Sequence, residues 1–192
     1  MKPTLFTLLI AATSIANLYA QNVTQADLDK IAPYFQEKNW TKVFDLSSEI
    51  LKSATGDTSI QRASMVYYNF YSASYLLFED KMSYSKLTKA VKKFEGQKIL
   101  IPPIQRVWDM AKAKNGIVML GAVGQGKIVS ETGQKLFGLD IRMRSLDEVK
   151  EPKPQFYGTI EEISISPPKI KEDTKYWGNG LSIQINDVVL IK

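Results

Sequence analysis

Residues 58–80, TSIQRASMVYYNFYSASYLLFED, form the stretch on which the fold depends. Apolar residues recur there at three- and four-residue steps, as on one face of an α-helix, and other large side chains occupy much of the remaining circumference. A helix that is apolar nearly all round has to be covered on several sides, so the stretch predicts a central helix. Thr58 and Gln61 fit a capping box at its start.

Three shorter helical patterns lie on either side of this stretch. Residues 24–35 begin at Thr24 and Asp27 and contain Pro33, which should kink or split a helix. Residues 40–52 and 83–95 carry one apolar stripe each. Because the connections are short, we expect neighbouring helices to pack antiparallel.

Two short patterns in this first half resemble a tetratricopeptide helix pair. Trp40 and Val43 are separated by two residues, and Ala63 and Tyr67 by three, as in that family. The resemblance covers residues 24–95 and implies a helical module with a groove for a partner. A plain irregular helical bundle is the alternative interpretation.

Beyond Gly116 the apolar residues alternate instead, which is typical of strands. Residues 136–144 show the clearest alternation. Residues 156–166 alternate with a slip of phase at Glu161 and Glu162, which predicts a β-bulge. We also expect a loop over residues 167–180 and a turn at Asn186–Asp187. Five or six short strands indicate a small all-β barrel or sandwich, with an OB-like barrel as a candidate, so the fold class is α+β.

The composition and the first residues suggest an exported protein. Residues 1–20 read as a signal peptide with cleavage after Ala20, and no later segment is apolar enough to span a membrane. We expect a helical domain at 21–98, an extended Pro-Pro joint and linker helix at 99–115, and a β domain at 116–192. We expect the two domains to have separate hydrophobic cores. A periplasmic or secreted location follows, and the chain has no cysteine for disulfides.

Positive charge is concentrated between residues 81 and 114, where nine Lys and Arg face two acidic residues. Lys86, Lys89 and Lys93 share one face of the predicted fourth helix, so they form a candidate surface for an anionic partner. A solvated helix face is the simpler interpretation. Tyr176 and Trp177 are candidate binding residues because the glycines that follow leave them little local cover.

The residue types exclude several kinds of catalysis. The chain has no histidine and no cysteine, so it lacks the usual nucleophile systems and the usual zinc and iron ligands. Residues 121–127 match most of a phosphate-binding loop, but Ile128 replaces the hydroxyl residue and strand-like residues follow. We interpret them as a glycine turn. We predict no catalytic residue, no cofactor and no metal.

The sequence therefore predicts an exported, non-catalytic interaction protein with a helical groove and a small β domain. The expected partner is another exported or envelope protein, with an anionic polymer or lipid headgroups as further options. An OB-like barrel that binds nucleic acid or glycan is one alternative, although the β half is neutral, with 10 basic and 10 acidic residues. A hydrolase that uses Asp140, Glu161 and Glu162 is the other.

Overall fold

The chain folds into a layer of helices packed against a β-sheet, so it is a mixed α+β protein. The computed structural model describes residues 22–102, 117–120, 127–130, 133–144, 155–166 and 176–191. The predicted signal peptide lies outside these residues. The helices are α1 (Gln25–Gln36), α2 (Trp40–Ser53), α3 (Ile60–Phe78) and α4 (Tyr84–Lys92). The strands are β1 (Lys98–Ile101), β2 (Ile117–Leu120), β3 (Lys127–Ser130), β4 (Gly133–Arg144), β5 (Gln155–Ser166) and β6 (Tyr176–Ile191).

Short polar residues begin each helix, as the sequence predicts for most of them. Thr24 and Asp27 form a capping box at α1, which continues past Pro33 without splitting. The prediction for α3 is wrong by one residue, because Ser59 rather than Thr58 is the N-cap. The Ser59 side chain accepts a hydrogen bond from the amide of Arg62, and its own amide donates to Asp57 at 2.8 Å. Asp57 thus fixes Ser59 in the capping position.

Helix α3 is the centre of the helical layer, as its composition predicts. The Phe70 side chain is fully buried, and the centroid of its ring lies 5.6 Å from that of Phe94, two residues beyond α4. Helix α2 packs on one side of α3, and β1 lies against another. Tyr68, Tyr71 and Tyr75 remain half-buried on the side that faces α1 and α2.

The six strands form one sheet in the order β1-β5-β6-β4-β2, with β3 also paired to β4. Strand β6 is antiparallel to β5 but parallel to β4. The predicted loop at Tyr176–Gly180 is wrong, because these residues pair with residues 134–138 of β4. Among the described strands no pairing joins β1 to β2, so the described sheet is open.

Strands β5 and β6 shift register twice. Between Ile160 and Glu162, β5 carries one residue more than its partner, which confirms the predicted bulge. The predicted turn at Asn186–Asp187 is wrong, because β6 continues to Ile191. Asp187 has a positive φ of 50° and lies at the second shift, between Asn186, which pairs with Thr159, and Val189, which pairs with Tyr157. The local sequence favours a left-handed backbone conformation there. The strand accommodates this conformation as an irregularity and does not reverse its direction.

The buried apolar side chains that the structure describes, in the helices and in β1, β5 and β6, belong to one cluster rather than to the two separate cores that were expected. Phe70 and Leu87 from the helices share it with Ile99, Phe156 and Ile183 from the sheet. Two main-chain hydrogen bonds also join the layers, from Gly96 to the carbonyl of Ile160 and from Ile160 to the carbonyl of Gln97. The boundaries of the helical and β domains stay a prediction.

Candidate functional site

The basic face of α4, defined by Lys86, Lys89 and Lys93, is the candidate site that the structure describes in most detail. Leu87 and Val91 bury the opposite face of this helix in the core. All three lysines are exposed. They follow one another at steps of three and four residues, so the helix places them in one row.

The charges of the basic face are poorly compensated. Lys92, beside the row, forms a 2.7 Å ion pair with Glu95. Among the described residues, no carboxylate forms an ion pair with Lys86, Lys89 or Lys93. The Lys93 ammonium lies 5.0 Å from the centroid of the Phe94 ring, and partial burial lowers the pKa of Lys93. As far as the described residues go, the row can therefore accept an anionic partner without first breaking an ion pair.

Tyr176 and Trp177, the other predicted binding residues, lie on a different element. They begin β6 and pair with Gln134 and Lys135 of β4, whereas α4 packs against β5. Their side chains lie outside the described part of the chain. Their proposed part in binding stays a prediction.

The fold also forms an unpredicted aromatic cluster, in which four partly exposed side chains surround the buried ring of Trp40. The Trp40 ring stacks on Tyr75 at 4.4 Å, and Phe35 contacts Trp40 and Tyr68 at 5.4 and 4.9 Å. We name this cluster the aromatic face: Phe35, Trp40, Tyr68, Tyr71 and Tyr75. The spacing of its three tyrosines along one side of α3 is visible in the sequence and could have separated them from the core. Tyrosines at such positions combine an apolar ring with a polar tip.

The acidic residues of the hydrolase alternative do not form a described pocket. Glu161 and Glu162 are both exposed on β5. Glu161 accepts a hydrogen bond from the side-chain amide of Gln184 on β6. The Asp140 side chain lies outside the described part. Within the described residues, no group of three acidic side chains is placed to hold a metal ion.

The phosphate-binding-loop match fails at its second requirement. Its residues 121–126 lie outside the described part, but Lys127–Ser130 is strand β3, paired with β4. The motif needs a helix at this point, because the helix N-terminus supplies the amides that bind phosphate.

Comparison of the chain with protein-family models, with curated proteins and with solved structures gives no match. In the part of the chain that the structure describes, no helix is both long enough and apolar enough to cross a membrane.

Proposed function

We propose that the protein is an exported, non-catalytic interaction protein that binds an acidic protein partner through the basic face of α4. The observation that supports this proposal is the row of three exposed lysines without an ion-pair partner among the described residues. A positive row of this kind attracts negative partners and raises their rate of association.

The way α4 is held favours binding over a merely solvated face. Leu87, Val91 and Phe94 are buried, and Glu95 just beyond the helix accepts a hydrogen bond from the main chain of β5. The lysines therefore project from a backbone that is fixed at both its apolar face and its end. Little backbone entropy would be lost when a partner binds.

We assign the helical groove of this proposal to the aromatic face. Half-buried tyrosines are common at protein interfaces because they provide contact area at low entropic cost. The resemblance to a tetratricopeptide pair stays part of the proposal. Closure of the strands into an OB-like barrel, or their arrangement as a sandwich, also stays a prediction.

The test is a triple variant, K86E/K89E/K93E, compared with a matched control, K38E/K42E/K52E. Both variants change the net charge equally, and all six lysines are exposed. A photo-activatable cross-linker at exposed Ser85 of α4 should capture an acidic protein with the native chain and with the control. K86E/K89E/K93E should no longer capture this protein. Rising salt should weaken capture by the native chain, because exposed charges are screened within about 10 Å at 0.1 M.

Equal recovery of the same proteins by all three chains would refute the proposal and leave a solvated helix face. Heparin and vesicles that contain anionic lipid are tested in parallel. If K86E/K89E/K93E loses binding only to heparin or to these vesicles, the partner is a polymer or a lipid surface, and the proposal of a protein partner is rejected. Circular dichroism should be the same for all three chains, because the substituted side chains are outside the core.

Export is tested separately from binding. If the chain is expressed in a bacterium with its N-terminal residues in place, the mature protein should begin at Gln21 and leave the cytoplasm. An intact chain that begins at Met1 in the cytoplasm would contradict this part of the proposal.

A further inference from the structure

An open pocket of about 370 Å³ lies where the loop between α2 and α3 faces the turn that leads into β1. Asp57, Ser59 and Arg62 line one side, and Gln97 and Lys98 the other. Its volume lies within the range of sites that bind small organic molecules. The pocket does not include any lysine of the basic face.

Arg62 is the unusual residue of this pocket, because a cation is buried there with little compensation. The residue is 8% exposed, although it lies in the first turn of the most apolar helix. Burial lowers the pKa of Arg62, and the negative charge of Asp57 opposes only part of that effect. Among the described residues, its guanidinium makes one hydrogen bond, from Nε to the carbonyl of Ala54 at 3.0 Å. A guanidinium has five N–H donors, so most of its donors remain for a ligand.

Asp57 does not form an ion pair with Arg62 within the described residues, because its carboxylate accepts hydrogen bonds from other groups. It accepts hydrogen bonds from the amide of Val23 at 2.8 Å and from the amide and hydroxyl of Ser59 at 2.8 and 2.9 Å. Burial alone would raise the pKa of Asp57, but these hydrogen bonds outweigh it and lower the pKa. Within the described residues, Asp57 and Arg62 form no ion pair.

Lys98 lines the opposite wall and carries a second positive charge, although the contact residues of its ammonium, Thr159 and Tyr157, are not part of the lining. Its ammonium donates to the hydroxyl of Thr159 at 2.7 Å and lies 5.6 Å from the centroid of the Tyr157 ring. Both contacts leave the positive charge without a carboxylate partner in the described part. An ammonium has three donors, so it can hold Thr159 and a ligand together.

We propose that this pocket binds a small organic anion whose carboxylate or phosphate group lies between Arg62 and Lys98. An oxyanion suits the site because it accepts several hydrogen bonds at once and neutralises two cations that form no ion pair within the described residues. No lysine of the basic face lines this site, although Gln97 in its wall donates a hydrogen bond to the carbonyl of Lys93 at 2.7 Å. A ligand there would also connect the start of α3 with the start of β1.

The test is calorimetric titration of the full chain at low salt with two probes, inorganic phosphate and succinate. Saturable binding of either probe is expected, and the probe that binds more tightly identifies phosphate or carboxylate as the preferred group. Lys98→Gln should weaken binding about tenfold, because it removes one charge-assisted hydrogen bond. Arg62→Lys, which keeps the charge but loses the planar fork, should weaken it as well.

Structural damage is controlled in two ways. Lys98 is partly exposed, so Lys98→Gln should keep the native circular dichroism even if Arg62→Lys is unstable. K86E/K89E/K93E should bind both probes as the native chain does, which separates this site from the proposed partner surface. The absence of saturable binding by the native chain, or equal binding by native and Lys98→Gln chains, would overturn the proposal.

Discussion

The carboxylate of Glu95 accepts a hydrogen bond from the backbone amide of Ile163 at 3.0 Å, although the two residues are 68 positions apart in the sequence. Ile163 directly follows the bulge in β5, where the regular ladder is interrupted. The same carboxylate oxygen pairs with Lys92 at 2.7 Å. One side chain at the end of α4 therefore supplies a main-chain partner at the point where the sheet is irregular.

Replacing Glu95 with Ala should lower the free energy of unfolding by about 1–3 kcal/mol, because the amide of Ile163 loses its acceptor. Glu95→Gln keeps an acceptor of the same shape and should cost clearly less. Urea denaturation of both variants measures the difference. Equal losses for Ala and Gln would show that the ion pair with Lys92, rather than the bond to Ile163, is what matters.

Stability should fall in acid and vary little between about pH 5 and pH 7. The pKa of Glu95 is lowered chiefly by the hydrogen bond from Lys92 and then by that from Ile163, and hydrogen bonds with Thr24 lower the pKa of Asp27. The pKa of Asp57 is also lowered, by bonds that outweigh its burial. A carboxyl with a lowered pKa stabilises the fold above its unfolded pKa, near 4, and loses that effect as pH falls through the folded value. The chain has no histidine to titrate near neutrality.

Thermal unfolding from neutral pH down to about pH 2.5 tests this sign. Asp57→Asn should flatten the acid limb of the profile, because it removes a carboxyl group whose pKa is lowered in the folded chain. A midpoint that rises as the solution is acidified would contradict the expected direction.

Gly158→Ala should destabilise the sheet by steric overlap. A methyl group at this position would contact the Ile185 side chain and lie 2.8 Å from the carbonyl oxygen of Asn186. Forcing atoms into a packed site costs roughly 1–3 kcal/mol of unfolding free energy. Gly56→Ala is the comparison, because its added methyl meets no atom within 4 Å but its φ of 89° is strained for alanine, at about 1 kcal/mol. If Gly158→Ala lost no more stability than Gly56→Ala in urea denaturation, this packing would be disproved.

Four of the nine tyrosines should resist ionisation while the protein is folded. Burial raises the pKa of Tyr67, Tyr68 and Tyr71, and raises that of Tyr84 to about 12. Tyrosinate absorbance at about pH 11 should therefore report Tyr67, Tyr71 and Tyr84 as still protonated in the native chain, and almost no protonated tyrosine in urea. Unfolding should become easier above about pH 10, because the unfolded chain ionises first. Ionisation of all nine tyrosines with unchanged circular dichroism would contradict the described burial.

The features that could be predicted from the sequence are those fixed by neighbouring residues. A pattern within a few positions indicates each of three features: the burial of α3 on several sides, the N-cap at Thr24 and the bulge at Glu161–Glu162. Periodicity records which side of an element is covered. The basic row could be predicted in the same way, because residues 86, 89 and 93 are three and four positions apart and therefore lie on one face of a helix.

The features that the sequence did not reveal depend on which distant segments meet. The parallel pairing of β4 with β6 turned the expected loop at Tyr176 into a strand, and alternation alone does not specify a strand's neighbour. The pocket between Arg62 and Lys98 likewise joins a helix to a strand across the sheet interface. One local signal did exist. Arg62 lies in a very apolar helix, and a charged side chain that is buried there needs a hydrogen-bonding or charged partner.

The position of β6 in the sheet has a consequence for how the chain acquires its structure during synthesis. The last described strand lies between β5 and β4 and joins them. A chain that emerges with its N-terminus first must wait for residues 176–191 before these two strands belong to one sheet. Until then the twelve-residue strand β4 presents an unpaired edge, which is prone to join edges of other chains. The sheet can therefore be completed only after residues 176–191 have been synthesised, and a chaperone that covers this edge would protect the nascent chain until then.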